Sequence, residues 1–137
     1  MTSHRYQHRA ETFVRFVVGK DGQQAHRLDG LFTESGRLRD SGCLEPYQAD
    51  WLDQIFTWFN AELPCPPFRR DRIPVNGICW YRGSATRFIS RMWDLAALLR
   101  DHGIPVRLLK TEDPGSILYE DPYQVVAFRR RWCRKRR

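Results

Sequence analysis

Apolar positions along this chain follow two rhythms. Residues 13–18, Phe-Val-Arg-Phe-Val-Val, are β-branched and aromatic and stop at Gly19-Lys20-Asp21-Gly22, which predicts a strand. Residues 75–81, 104–109, 116–119 and 123–128 have the same character and predict four more. Between them the period changes to 3.6. Leu28, Leu31, Phe32 and Leu38 predict a helix over 26–40, weakened by Gly30 and Gly36 at about 1 kcal/mol each relative to alanine. Trp51, Leu52, Ile55, Trp58, Phe59 and Leu63 predict a second helix, with Pro46 at its first position and Gln48, Asp50, Asp53, Gln54 and Thr57 on the other side. One aromatic stripe at helical spacing is what burial against a sheet requires. Phe88, Ile89, Met92, Trp93, Leu95, Ala96 and Leu99 predict a third helix over 85–101. Ser84 is expected as its N-cap, and His102-Gly103 as its close.

The order β-α-α-β-α-β-β-β predicts an α+β fold: a two-layer sandwich with a mixed sheet of four or five strands and three helices mainly on one face. Short connections on either side of the third helix predict a β-α-β unit with parallel strands. The last three strands are expected to form a meander around turns at 111–115 and at Glu120-Asp121-Pro122. The chain divides into a loose start (1–12), a single α+β domain (13–128) and a basic segment (129–137), with no internal repeat. Leu63-Pro64-Cys65-Pro66-Pro67 ends the second helix and opens a long connection carrying Arg69, Arg70 and Arg72.

A length of 137 residues, with 42% hydrophobic and 13% aromatic content, suits one folded domain and excludes intrinsic disorder. No apolar run reaches the roughly 18 residues of a membrane helix, and the N-terminus lacks a signal-peptide core. A cytoplasmic location is expected. Cys43, Cys65, Cys79 and Cys133 are scattered without a C-x-x-C pair and read as unrelated reduced thiols.

Charge adds more. The net charge is +7, and residues 129–137, RRRWCRKRR, hold seven basic residues and no acid. The remaining 128 residues hold 16 basic and 16 acidic side chains and are neutral. The excess is therefore a property of one segment and not of the fold.

Catalytic motifs are absent. Arg82-Gly83-Ser84-Ala85-Thr86 sits at a strand-to-helix corner but lacks the second glycine of a nucleophile elbow and the G-K-[ST] of a phosphate loop. A helix N-terminus beside Arg82 and Arg87 leaves room for weak anion binding. Glu112, Asp113, Glu120 and Asp121 are the clustered carboxylates, each pair adjoining a proline in a turn, where local hydrogen bonding explains the acid. His4 and His8 share i, i+4 spacing without further motif context. No cofactor and no metal site is expected.

The segments VRFVVG, LEPYQADWLDQIFTWFN, RMWDLAALLRDHGIPVRLLK and ILYEDPYQVVA together resemble a group of short bacterial proteins of unknown function, over about Phe13 to Ala127. The resemblance implies a bacterial or phage source and a single fold. It carries no activity or site, and the Arg-rich segment is where this chain departs from the group.

The leading functional expectation is a non-enzymatic binding protein. Arg129, Arg130, Arg131, Trp132, Arg134, Lys135, Arg136 and Arg137, with Arg69, Arg70 and Arg72, would contact nucleic acid or a nucleoprotein through phosphate neutralisation and indole stacking. Two alternatives stand beside it. One is a protein-interaction module, a regulator or inhibitor in a defence or counter-defence system, with a protein partner. The other is a metal-dependent phosphoryl-transfer enzyme or nuclease using Asp113, Glu120 and Asp121.

Overall fold

The computed structural model describes residues 11–19, 29–66 and 77–128. Its elements are β1 (Phe13–Val18), β2 (Asp29–Gly30), α1 (Leu31–Asp40), α2 (Pro46–Glu62), β3 (Gly77–Arg82), α3 (Thr86–Asp101), β4 (Val106–Thr111), β5 (Ser116–Glu120) and β6 (Gln124–Phe128). The α+β class and the predicted element order are as the sequence implies. Among the described residues no helix is long and apolar enough to cross a membrane.

Local chemistry sets the helix ends. Pro46 opens α2, and Glu45 and Gln48 form a reciprocal capping box, with Glu45 N–H donating to Gln48 Oε1 at 2.9 Å. The close of α3 is a Schellman motif. Gly103 takes φ +77°, its N–H donates to Arg100 O at 2.9 Å, and Ile104 N–H donates to Leu99 O at 2.9 Å. The start of α3 differs from expectation. Its N-cap is Ala85, without a side-chain cap bond, and Ser84 offers only its backbone carbonyl to Thr86 N–H at 2.9 Å. Gly83 sets this corner: its N–H donates to Thr12 O at 2.8 Å, and a Cβ there would stand 3.0 Å from that oxygen. The first helix also begins later than its periodicity suggests, because Asp29–Gly30 pairs with Val18 and Val17 as a short strand.

The five main strands run in the order β4-β1-β3-β6-β5, with β2 alongside the far half of β1. Every ladder is antiparallel, which corrects the expected mixed sheet. β3 and β4 do run in the same direction, as the β-α-β pattern requires. They are not neighbours, because β1 lies between them and pairs with both. The expected three-strand meander is also replaced. β5 and β6 form a hairpin, whereas β4 lies at the opposite edge.

That placement bends the sheet. A flat sheet would separate β4 from β5 by about 19 Å across four strand spacings. Thr111 registers through Phe13 with Arg82, whereas Ser116 registers through Phe128 with Gly77, so the two ends are also offset along β3. The chain from Thr111 to Ser116 reaches at most about 18 Å. Strong curling closes the difference. A register shift between Ile117 and Tyr119, which leaves Leu118 as an extra residue, increases the local twist of β5.

The main core lies between the sheet and the helices. Phe88 of α3 is fully buried, with ring centroids at 5.2 Å from Trp58, 5.9 Å from Phe59, 6.4 Å from Tyr81 and 4.9 Å from Tyr123. One side chain thus ties α2, β3 and the β5–β6 hairpin to α3. On the other face a smaller cluster joins Phe13, Trp80, Val125 and Ala127. Truncation of Phe88 to alanine is expected to lower the unfolding free energy by about 3–5 kcal/mol. Chemical denaturation measures it, and Phe88→Leu should lose clearly less.

Candidate functional site

All eleven residues expected to contact nucleic acid, Arg69, Arg70, Arg72, Arg129, Arg130, Arg131, Trp132, Arg134, Lys135, Arg136 and Arg137, lie outside the described residues. What is described is where their segments attach. Gly77 and Phe128 stand directly opposite each other at the end of the β3–β6 ladder. The connection 67–76 enters the sheet at Gly77, and the segment 129–137 leaves it at Phe128. Opposed residues in an antiparallel pair lie about 5 Å apart. Two Arg-rich stretches separated by more than fifty positions in sequence are therefore rooted side by side.

The other root of the 67–76 connection is fixed by a polar network. Gln124 is buried at 2% exposure, and its Nε2 donates to Pro64 O at 2.8 Å and to Asp121 Oδ2 at 3.1 Å. Gln124 Oε1 accepts from Cys79 Sγ at 3.2 Å. Asp121 also accepts from Tyr119 Oη at 2.7 Å, Tyr123 N–H at 2.8 Å and Gln124 N–H at 3.0 Å. Desolvation works to raise the Asp121 pKa, but these donors together outweigh it and hold the carboxyl below its ordinary value. The same contact, chiefly the hydrogen bond to Asp121, pushes the Tyr119 phenol up to about 12. Cys79 is open to solvent as a residue, yet its sulfur faces the buried Gln124 amide, and desolvation pushes the thiol up to about 11. At neutral pH that thiol is a donor and not a nucleophile.

The acids weighed for metal chemistry have local structural work. Asp121 organises the β5–β6 turn as described. Glu120 accepts from Arg82 Nη2 at 2.6 Å, and Asp113 Oδ1 accepts from Gly115 N–H at 3.1 Å. Among the described residues no group of three or more His, Cys, Asp and Glu is placed to hold a metal ion. His4 and His8 lie outside the described residues.

The arginines at the α3 N-terminus are likewise engaged. Arg82 donates through Nη1 to both Glu11 carboxylate oxygens at 2.7 and 2.9 Å, through Nη2 to Glu120, and through Nε to Asp121 O at 2.8 Å. Arg87 meets Glu62 at 3.1 Å, and Arg87 and Arg91 both lie over the Trp58 ring, at 5.8 and 5.2 Å. These cations serve the fold, so the anion site considered for this corner finds no free guanidinium in Arg82 or Arg87. The spacing of Arg87 and Arg91, one helical turn apart, was visible in the sequence. Their shared partner on α2 was not.

A feature that periodicity did not reveal is an open groove of about 410 Å³ between α2 and α3, with Tyr47 and Trp51 on one wall and Asp94, Leu98 and Asp101 on the other. The sequence marks it only by two aspartates seven positions apart, two turns along one helix face.

The depressed Asp121 carboxyl has a pH consequence. Its contribution to stability is present above the ordinary aspartate range near pH 4 and is lost as pH falls through its lower folded value. Thermal unfolding scanned from pH 6 downward should show the midpoint falling in that acidic window. Asp121→Asn should reduce the acid-dependent part of the fall while lowering the midpoint at neutral pH.

Comparison of the chain with family models, with curated proteins and with solved structures finds no match to any of the three.

Proposed function

We propose that this protein is a small, non-catalytic binder of nucleic acid or a nucleoprotein. Residues 129–137 are the principal contact, and Arg69, Arg70 and Arg72 add further phosphate contacts. The observation that carries this reading is the Gly77–Phe128 pairing, which roots both Arg-rich stretches at one corner of a neutral body. Guanidinium groups suit phosphate because they are permanently charged and donate in a planar fork. Trp132 adds an indole for base stacking, which tolerates any sequence. Affinity in this reading comes from counterion release, and discrimination between sequences is low.

Salt dependence provides the test. If the seven basic residues of 129–137 and Arg69, Arg70 and Arg72 all contact phosphates, log affinity for short duplex DNA should fall against log salt with a slope of about −9, of which about 6 belongs to 129–137. Deleting 129–137 should flatten that slope by most of its value. Replacing Arg69, Arg70 and Arg72 with serine should flatten it by about 2–3. Negligible binding to DNA and RNA by both the full chain and the deletion, at low salt, overturns the proposal.

A further inference from the structure

We infer that the groove between α2 and α3 is a docking site for the chain's own residues 129–137, which it holds until a polyanion displaces them. The regulatory part of this inference rests on the polyanion reading above; the docking part does not.

The two helices run antiparallel. Glu62 at the end of α2 meets Arg87 at the start of α3, and Tyr47 at the start of α2 faces Asp101 at the end of α3. The groove at this second end combines two features that suit one ligand. Asp94 and Asp101 supply negative charge, and Tyr47 and half-buried Trp51 supply aromatic surface. Asp101 makes no hydrogen bond or ion pair among the described residues, while Asp94 reaches Arg91 only at 3.8 Å. Tyr47 is 71% exposed, a large ring left open beside two acids. An arginine or lysine side chain satisfies both features, its head on the carboxylates and its stem or guanidinium plane against the rings.

Charge complementarity selects the occupant. Among the described residues, arginines of the body have acidic partners: Arg39 with Asp53, Arg82 with Glu11 and Glu120, Arg87 with Glu62. The concentrated excess of cations in this chain is residues 129–137.

Reach allows the contact. Phe128 lies at the Gly77 end of β3, and Val18, which pairs with Val106 just beyond α3, lies toward the same end. From β6 to β4 is about 14 Å across three strand spacings, and the helix layer adds about 10 Å. Nine extended residues span about 30 Å. Docking within one molecule therefore competes with phosphate for the same guanidinium groups, and a docked fraction lowers apparent polyanion affinity in proportion.

Lys135 is the one lysine among residues 129–137, which makes zero-length carbodiimide cross-linking informative. The full chain, without nucleic acid and at low salt, should give a monomer with Lys135 joined to Asp94 or Asp101 by an amide, with loss of one water. Excess short DNA should suppress the link. The Asp94→Asn/Asp101→Asn double variant should lose it and bind the same DNA about two- to tenfold more tightly. Lys135 left unlinked, or linked only to other carboxylates, overturns the inference. A link found only in covalent dimers also overturns it, and assigns the groove to contact between copies. A groove link together with no DNA binding would retire the polyanion reading while leaving the docking contact standing.

Discussion

The β3–β6 ladder is the constraint on which the rest depends. Five consecutive pairs, from Gly77 with Phe128 to Tyr81 with Gln124, fix one register, and a slip of one residue would turn every side chain to the wrong face. In this register Tyr81 and Tyr123 stand around Phe88 on the helix side, while Trp80, Val125 and Ala127 pack on the other. Gln124 comes beside Cys79 and reaches back to Pro64, which anchors the end of α2 to the hairpin. The roots of both Arg-rich stretches are a by-product of the same pairing.

Within the described residues, electrostatics is largely a matter of local pairing. Within the domain, arginines serve as cement. Arg82 holds two carboxylates and a carbonyl, and so connects the residues before β1 to the β5–β6 turn. Arg87 and Arg91 cover Trp58, and Arg100 lies over Trp93 while donating to Val106 O at 3.1 Å. Such partly exposed pairs contribute little stability each, of order 0–1 kcal/mol, but they neutralise the body locally. In the binding function we propose, this neutrality lets a short basic segment set the electrostatics of the whole chain, since its field is not diluted by a basic fold. On the body, the acid–aromatic groove between α2 and α3 is the complementary surface.

Every helix, and every strand but the two-residue β2, announced itself through period and punctuation. Pro46 and Gly103 marked their helix ends correctly, because proline at N1 and glycine at C′ answer to backbone geometry alone. Ser84 did not behave as a cap, because the ladder bond from Gly83 to Thr12 already fixes how the chain leaves β3. Propensity was overruled there by a partner more than seventy positions away. The parallel pair and the meander failed for a related reason. Adjacency in sequence favours adjacency in space, but β1, from the start of the chain, inserts between β3 and β4.

By itself the sequence determined the element types and their order, the neutrality of the body and the gathering of charge into 129–137, since periodicity and composition are local or additive properties. Only the tertiary structure decided the strand order and the curl of the sheet. It alone pairs Gly77 with Phe128, sets Arg82 between Glu11 and Glu120 and opens an acidic groove beside Trp51. Those outcomes depend on which distant segments share a face, and pairwise contact between remote residues leaves no period for a single sequence to display.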